Sequence, residues 1–384
     1  MSFRRSQLSI AALFAALGFQ YSTWASRIPA LADRLHLSSG EVGVLLLAAG
    51  VGAVLSFPLV PRLMAAFGSG RLALGAGLVL VGALAGLAVA PAYPVALAVL
   101  LVDGVAVGCL NVAMNAQGAV LEKTSGRTTM AKLHATFSAG IFGAALLASG
   151  VSSLTDSVLL HFTVGGVVLL ALLAAARPGL LHEDLPATPS TTGGRARIRP
   201  SGIVLWLGVT MFLATIAEGA VNDWSALYLK DVAHAAEHLL PLGIAVTSGM
   251  MIIARMFADG WRDRFGDKTV VAYGCGVAGL GLAAALLAGG AYPALAGFAL
   301  VGLGMAAVSP CLYVAAAHHG SAALTAAATM STTGLLVGPP VIGFLAEGVG
   351  LRWALAAVVL TAWLIIPCVL PIMWPVRTPE PAVS

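Results

Sequence analysis

The sequence reads as an all-α membrane protein: twelve transmembrane helices in two pseudo-symmetric six-helix bundles. Composition, the length of the apolar runs and a repeat between the halves carry this reading. Of 384 residues, 59% are hydrophobic and 9% charged, against about 25% charged in a soluble domain. So little charge cannot clothe a soluble surface. The surrounding medium is therefore lipid, which admits only helices and closed barrels. Barrel strands alternate apolar and polar residues over about 10 positions. The runs here extend over about 20 residues, the length a helix needs to cross hydrocarbon. They are apolar throughout and rich in Leu, Ala, Val and Gly.

The spans fall near 8–29, 40–66, 72–90, 95–121, 129–151, 157–176, 202–229, 239–258, 269–290, 294–317, 322–346 and 352–374. Arg4-Arg5 ahead of the first run resembles a signal peptide, but the many spans behind it make it an uncleaved first helix. The long polar stretch, 177–201, holds His182-Glu-Asp, Pro186, Pro189, Pro200 and four arginines. It predicts a flexible cytoplasmic linker between a first bundle, 1–176, and a second, 202–384, that ends in a cytoplasmic tail. With a cytoplasmic N-terminus, all but four of the 20 Lys and Arg lie inside, the exceptions being Arg27, Arg34, Lys230 and Arg352. The positive-inside rule then puts both termini in the cytoplasm and the chain in the cytoplasmic (inner) membrane.

The halves echo one another. Gly18-Phe-Gln-Tyr-Ser-Thr-Trp24 in the first span answers Glu218-Gly-Ala-Val-Asn-Asp-Trp224 in the seventh. Trp24 and Trp224, Gly43 and Gly243, and Arg62 and Arg262 are each 200 residues apart. Ala135-Thr-Phe-Ser138 in span five matches Ala328-Thr-Met-Ser331 in span eleven at 193. Repeated halves with polar residues inside apolar spans are the build of a transporter, whose solute site lies at the repeat interface. Cys109, Cys275, Cys311 and Cys368 lie in apolar runs without paired spacing, so neither disulfide nor metal site is expected. The net charge of +4 sits in the inside loops and does not point to nucleic acid.

Between spans eight and nine stands Gly260-Trp-Arg-Asp263-Arg264-Phe-Gly266-Asp-Lys268. It resembles the cytoplasmic loop signature of the major facilitator superfamily. Pro61-Arg62-Leu-Met-Ala-Ala-Phe67-Gly68-Ser-Gly-Arg71 is a worn copy without the acid. An acid and bases at helix ends can pair as a latch that holds the cytoplasmic side in one state. Arg62, Arg71, Asp263, Arg264 and Lys268 are the latch candidates, with Glu122 and Arg127 near the same surface. Asn111-Val-Ala-Met-Asn115-Ala-Gln-Gly, His134-Ala-Thr-Phe-Ser and Glu218-Gly-Ala-x-x-Asp223-Trp224-Ser resemble the rhizopine-transporter-like branch, and more distantly the fucose/proton symporters. The resemblance implies the major facilitator fold, alternating access and a small polar solute such as a sugar, cyclitol or amine. That branch carries Asp where this chain has Asn111, and Asn cannot exchange a proton. Either another acid couples transport, or the protein is not proton-driven, or the residue is a substitution that holds one state.

An acid inside a span costs about 2.5–3.5 kcal/mol on the insertion scale, so each retained one calls for a partner, water or a function. Glu218, near the middle of span seven, is the first candidate for the titrating group, because burial disfavours the charged form. Its bland alternative is a permanent ion pair with a basic side chain of span one. Asp103, Asp223 and His134 are further proton-coupling candidates, with helix-to-helix bonding or packing as alternatives. Solute contacts are expected at Gln20, Tyr21 and Trp24 on span one and at Asn111 and Asn115, one turn apart on span four. Asn222 and Trp224 on span seven and Tyr313 on span ten complete the set. Indole faces can stack on a sugar or cyclitol. Arg27 either attracts an anion, pairs with Asp223 or Glu218, or snorkels to the interface. Pro339-Pro340 predicts a kink in span eleven.

No Gly-Lys-Ser/Thr phosphate loop, His-Glu-x-x-His or nucleophile elbow occurs. An enzyme is not expected, nor a cofactor, a metal, nucleic acid or an obligate protein partner. The expected activity is proton-coupled uptake, with lipid, protons and a small polar solute as partners. Proton-antiport efflux and an uncoupled uniporter are the alternatives. Span five lacks the glycine-proline motif usual in antiporters, since Ala139-Gly140-Ile-Phe-Gly143 has no Pro.

Overall fold

The computed structural model describes residues 2–127, 129–181 and 202–374. Among these, all regular structure is helical. The first half contains α1 (Phe3–Ala25), α2 (Ile28–Leu35), α3 (Ser39–Ser56), α4 (Val60–Val89), α5 (Tyr93–Ser125), α6 (Met130–Ser152) and α7 (Val158–Ala176). The second contains α8 (Gly202–Asp231), α9 (Leu242–Phe265), α10 (Asp267–Ala288), α11 (Ala291–Met305), α12 (Val308–His318), α13 (Ser321–Val349) and α14 (Leu351–Cys368). Twelve stretches are long and apolar enough to cross a membrane, α11 and α12 counting as one. Much of the outer surface is apolar: Leu287, Met256 and Trp353 are each well over half exposed, as a lipid-facing surface requires.

The described residues form two compact units. One takes the chain up to Leu181 together with Ala235–Ala245; the other takes Gly202–His234 and everything from Val246. Inside each, the helices pair by the same scheme. α1 packs on α6 and α7, as α8 packs on α13 and α14; α4 packs on α5, as α10 packs on α11. The backbone repeats more closely than the side chains do. Among the described residues, His36 and His234 are the non-glycine ones with positive φ, and they lie 198 apart. Gly68 (φ 75°, ψ 158°) and Gly266 (φ 79°, ψ 151°) turn the chain identically between the second and third spans of each half, again 198 apart. A Cβ on Gly104 would lie 1.9 Å from the Ala49 carbonyl, and one on Gly302 2.2 Å from the Thr247 carbonyl, the same close crossing at the same offset. These landmarks correct the register of 200 read from the tryptophans. At 198, Gln20 answers Glu218, and Trp24 answers Asn222.

Helix ends have specific causes. α3 begins with a full capping box, Ser38 and Glu41 each bonding the other's backbone. Three of the four basic residues expected outside bond backbone carbonyls at or just past helix C-termini, where cations are favoured. Arg34 bonds the Leu87 and Ala88 carbonyls, Arg352 the Leu286 carbonyl, and Arg27 the Asp156 carbonyl beyond α6. α13 is one continuous helical stretch with Pro339 and Pro340 inside it. Span ten is interrupted at Ala306 and Ala307, between α11 and α12. The start of the linker is held in place. Arg177–Gly179 form a 3-10 turn, and the buried Gln117 amide donates to the Leu181 carbonyl at 2.8 Å and accepts from its N–H at 2.7 Å. The remainder, 182–201, lies outside the described residues.

Candidate solute and proton site

In the first unit, α1 and α5 meet through two polar side chains. Gln20 Nε2 donates to Asp103 Oδ1 at 2.6 Å, with Gln20 0% and Asp103 1% exposed. Gln20 is therefore a helix-to-helix partner in this structure, not an open solute contact. Its Oε1, and the indole nitrogen of the buried Trp24, are without hydrogen-bond partners. Tyr21, half-buried, stands edge-on to Trp24 at 5.6 Å. Asn111 and Asn115 do face open space. Asn115 Nδ2 donates to the Asn111 carbonyl at 2.8 Å and to its side-chain oxygen at 3.1 Å. His134 is exposed on α6, edge-on to Phe14 at 5.1 Å.

Arg27 is 3% exposed, so it does not snorkel. Its Nη1 donates to Ser152 Oγ at 2.6 Å and its Nη2 to the Asp156 carbonyl at 2.9 Å. Burial pushes its guanidinium down from the usual value, and Glu237 and Asp156 pull it back.

The second unit holds a charged cluster at the break in span ten. Arg255 Nη2 on α9 lies 3.9 Å from Glu218 Oε1 on α8, the side chains being 37% and 28% exposed. Arg255 Nε donates to the carbonyl of Ala306, at 3.3 Å. That carbonyl lies in the gap between α11 and α12, where Pro310 lacks an N–H. Discontinuous helices with exposed backbone groups are tolerated at membrane depth only inside protein or beside a water-filled cavity. The ion-pair partner of Glu218 comes from span eight. Arg255 escaped the sequence reading because it was counted among the inside-loop cations. Its position after Met250-Met-Ile-Ile-Ala254, within an apolar run, is the signal that could have found it.

Asn222 donates to the Glu218 carbonyl at 3.2 Å, and Thr215 and Ser331 join α8 to α13 at 3.1 Å. Trp224 is fully buried and Asp223 nearly so. Trp24 and Trp224, expected to stack on solute, are both packed inside protein because their faces point into helix contacts rather than open space. Tyr313 is half-buried on α12.

At the loop signature, the ion pairing centres on a residue outside the expected latch. Arg262 Nε donates to Asp267 Oδ1 at 2.9 Å and Nη2 to Oδ2 at 3.2 Å, a two-pronged pair, and Nη1 reaches Asp259 at 3.2 Å. Arg264 lies over Phe265, and Lys268 reaches the Leu370 carbonyl at 3.4 Å. Arg62 and Arg71 are exposed. Glu122 accepts from the Thr129 and Met130 N–H groups and so caps the start of α6, while Arg127 lies over the Phe3 ring at 5.2 Å.

Residues 8–332 match the model of the Major Facilitator Superfamily. The chain belongs to that family. This Major Facilitator Superfamily chain is 33% identical over 352 residues to the uncharacterized transporter y4wD of Sinorhizobium fredii (strain NBRC 101917 / NGR234), covering 89% of this chain and 92% of that one. It is 32% identical over 359 residues to membrane protein MosC of Rhizobium meliloti, covering 91% and 86%. Its fold is similar to the crystal structure of the nucleoside transporter NupG (D323A mutant), with a TM-score of 0.76 at 13% identity over 96% of this chain and 99% of that one. The family expected from the loop signature stands, and it is a family of secondary transporters rather than enzymes.

Proposed function

We propose that this transporter takes up a small polar solute by alternating access, coupled to protons through Glu218, with both termini in the cytoplasm. The observation that carries the reading is the Glu218–Arg255 pair beside the break in span ten. Ionisable residues inside spans are costly and rare unless they serve transport, and broken helices mark solute and ion sites in this class of protein. Asn111 and Asn115 supply amide donors and acceptors suited to hydroxyl-bearing solutes, and Asn222 and Tyr313 belong to the same set. Asp103, enclosed by Gln20, is the second coupling candidate, and Asp223 and His134 are auxiliary ones. Arg262 and Asp267 join Asp263, Arg264 and Lys268 in the proposed cytoplasmic latch. The test is accumulation of polyols and hydroxyl-bearing acids in proteoliposomes under an imposed proton gradient. Glu218→Gln is expected to abolish gradient-driven accumulation while retaining counterflow; accumulation at the normal level in that variant removes the coupling role. Asn111 favours a second reading, uniport without protons, in which the gradient has no effect even on the unaltered protein.

A further inference from the structure

α1 and α5 bring an amide and an acid together away from solvent. One hydrogen bond joins them, from Gln20 Nε2 to Asp103 Oδ1 at 2.6 Å. The other end of the amide, Gln20 Oε1, is buried without a donor. An ionised carboxylate offers only acceptors, so it cannot serve that oxygen. A carboxylic acid can. It carries C=O and O–H on one carbon, as a primary amide carries C=O and N–H. Set face to face, the two groups close a ring: the amide N–H donates to the acid's carbonyl oxygen, and the acid O–H donates to the amide's. Turning the amide over gives the same answer, because the 2.6 Å contact would then join two oxygens, which a proton must bridge. We propose that Asp103 carries a proton in this structure and that Gln20 holds it there through a two-bond acid–amide ring. This deepens the reading of Asp103 as the second coupling group, and its bearing on transport rests on that reading.

Charge points the same way. An isolated carboxylate inside a span is costly, and Asp103 has no ion pair among the described residues. α5 packs on α1, α3, α4 and α6. Their titratable groups are Arg4, Arg5 and Tyr21 on α1, Glu41 on α3, Arg62 and Arg71 on α4, and Lys132 and His134 on α6; α5 adds Tyr93, Cys109, Glu122 and Lys123. Among the described residues none of these bonds Asp103; Gln20 does. On the two helices that carry the pair, Arg5 stands 15 residues from Gln20 and Lys123 20 residues from Asp103, roughly 22 and 30 Å along the helix axes. The helices are also pinned where they meet. Gly18 packs so closely on α6 that a Cβ would lie 2.1 Å from the Phe137 carbonyl, and Gly104, next to Asp103, stands at 1.9 Å from the Ala49 carbonyl in the same sense. Neither helix can shift to admit water without breaking such contacts. Loss of the proton requires the ring to open, by rotation of Gln20 or by parting of α1 from α5, so Gln20 is a positioning residue for the proton. Binding forms one O–H bond with a proton from solvent, and release breaks it.

Infrared difference spectroscopy of the full-length protein near neutral pH reads the proton directly, because a protonated carboxyl group absorbs at a carbonyl frequency of its own, apart from carboxylates and amides. The expected result is a protonated-carboxyl band in the wild type that Asp103→Asn loses, to the extent of one carboxyl group per protein, and that Glu218→Gln keeps. Asp103→Asn is expected to fold, since a second amide closes the same two-bond ring with Gln20. Exchanging the partners, Gln20→Glu together with Asp103→Asn, rebuilds an acid–amide ring and is expected to restore the band. Gln20→Leu removes the acceptor of the acid O–H and is expected to move the band to higher frequency. A protonated-carboxyl region that is the same in Asp103→Asn as in the wild type overturns the assignment, because Asp103 is then ionised. A folded exchange variant without the band overturns the acid–amide ring. The bearing on transport is read separately, by accumulation of a polyol or a hydroxyl-bearing acid under an imposed proton gradient. Normal accumulation in Asp103→Asn, with the band present in the wild type, removes Asp103 from coupling and leaves the protonated pair standing.

Discussion

Gln20 and Asp103 form a closed pair between the first and fourth spans, joined at 2.6 Å and shut off from solvent. A carboxyl group in that position depends on the amide for its hydrogen bond. Gln20→Leu is expected to destabilise the protein by about 1–3 kcal/mol, since it strands a buried polar group. Replacing both with Leu is expected to recover most of that loss, because two apolar groups leave nothing unpaired. Apparent melting temperature in detergent across the double-mutant cycle measures the difference; a loss in the double variant equal to the sum of the two single losses would show that the bond is idle.

The close crossing of α3 on α5 and its counterpart at Gly302 make a second prediction. Gly104→Ala and Gly302→Ala each drive a methyl into a backbone carbonyl, at 1.9 and 2.2 Å. Neither neighbour is a flexible tip that can swing aside, so the helices must part, at a cost of about 1–3 kcal/mol. Gly82→Ala meets nothing within 4 Å and sits in a helix, where Ala is favoured over Gly by up to about 1 kcal/mol. Thermal shifts of opposite sign for Gly82→Ala and the other two are the expected outcome.

How much was legible before folding differs between the spans and the site. The twelve spans follow from hydrocarbon thickness, a constraint that acts on every run of the chain alike, so they could be read one by one. Pairs such as Gln20 with Asp103, or Glu218 with Arg255, depend on which helices become neighbours and how each is rotated. No periodicity in an all-apolar run records that. Trp24 and Trp224 show the consequence: their spacing was visible, but the faces they bury were not. α13 stays continuous through Pro339 and Pro340, while span ten is interrupted at Ala306 and Ala307, four residues ahead of Pro310, whose missing N–H leaves the Ala306 carbonyl without its helical donor.

At the loop after α9, the pairing of Arg262 separates a buried acid from an exposed one. Asp267 is 1% exposed at its side chain and Asp259 is 83%. Asp267→Ala leaves a nearly buried guanidinium without its two-pronged partner and is expected to cost about 3–5 kcal/mol. Asp259→Ala removes a solvated contact and is expected to change stability by less than about 1 kcal/mol. Melting curves of the two variants, taken at low and at high salt, check both the ranking and its origin: the small effect should fade with salt and the large one should persist.

Gln117 links the first unit to the start of the inter-domain segment. Its amide bonds Ser69 at 2.7 Å and both backbone groups of Leu181. This uses both donors and the acceptor oxygen of a buried amide and holds a peptide that has left the helix, whose N–H would otherwise depend on water. In Gln117→Ala all three bonds are lost. The Leu181 amide is expected to exchange its hydrogen at least about tenfold faster, the equivalent of roughly 1.4 kcal/mol of local opening. Gln117→Glu keeps the acceptor for the Leu181 N–H but loses the two donors, so its exchange should fall between the wild type and the alanine variant. Hydrogen-exchange mass spectrometry over 177–181 resolves the three. An unchanged rate in Gln117→Ala would mean that the turn at Arg177–Gly179 holds the segment without help from α5.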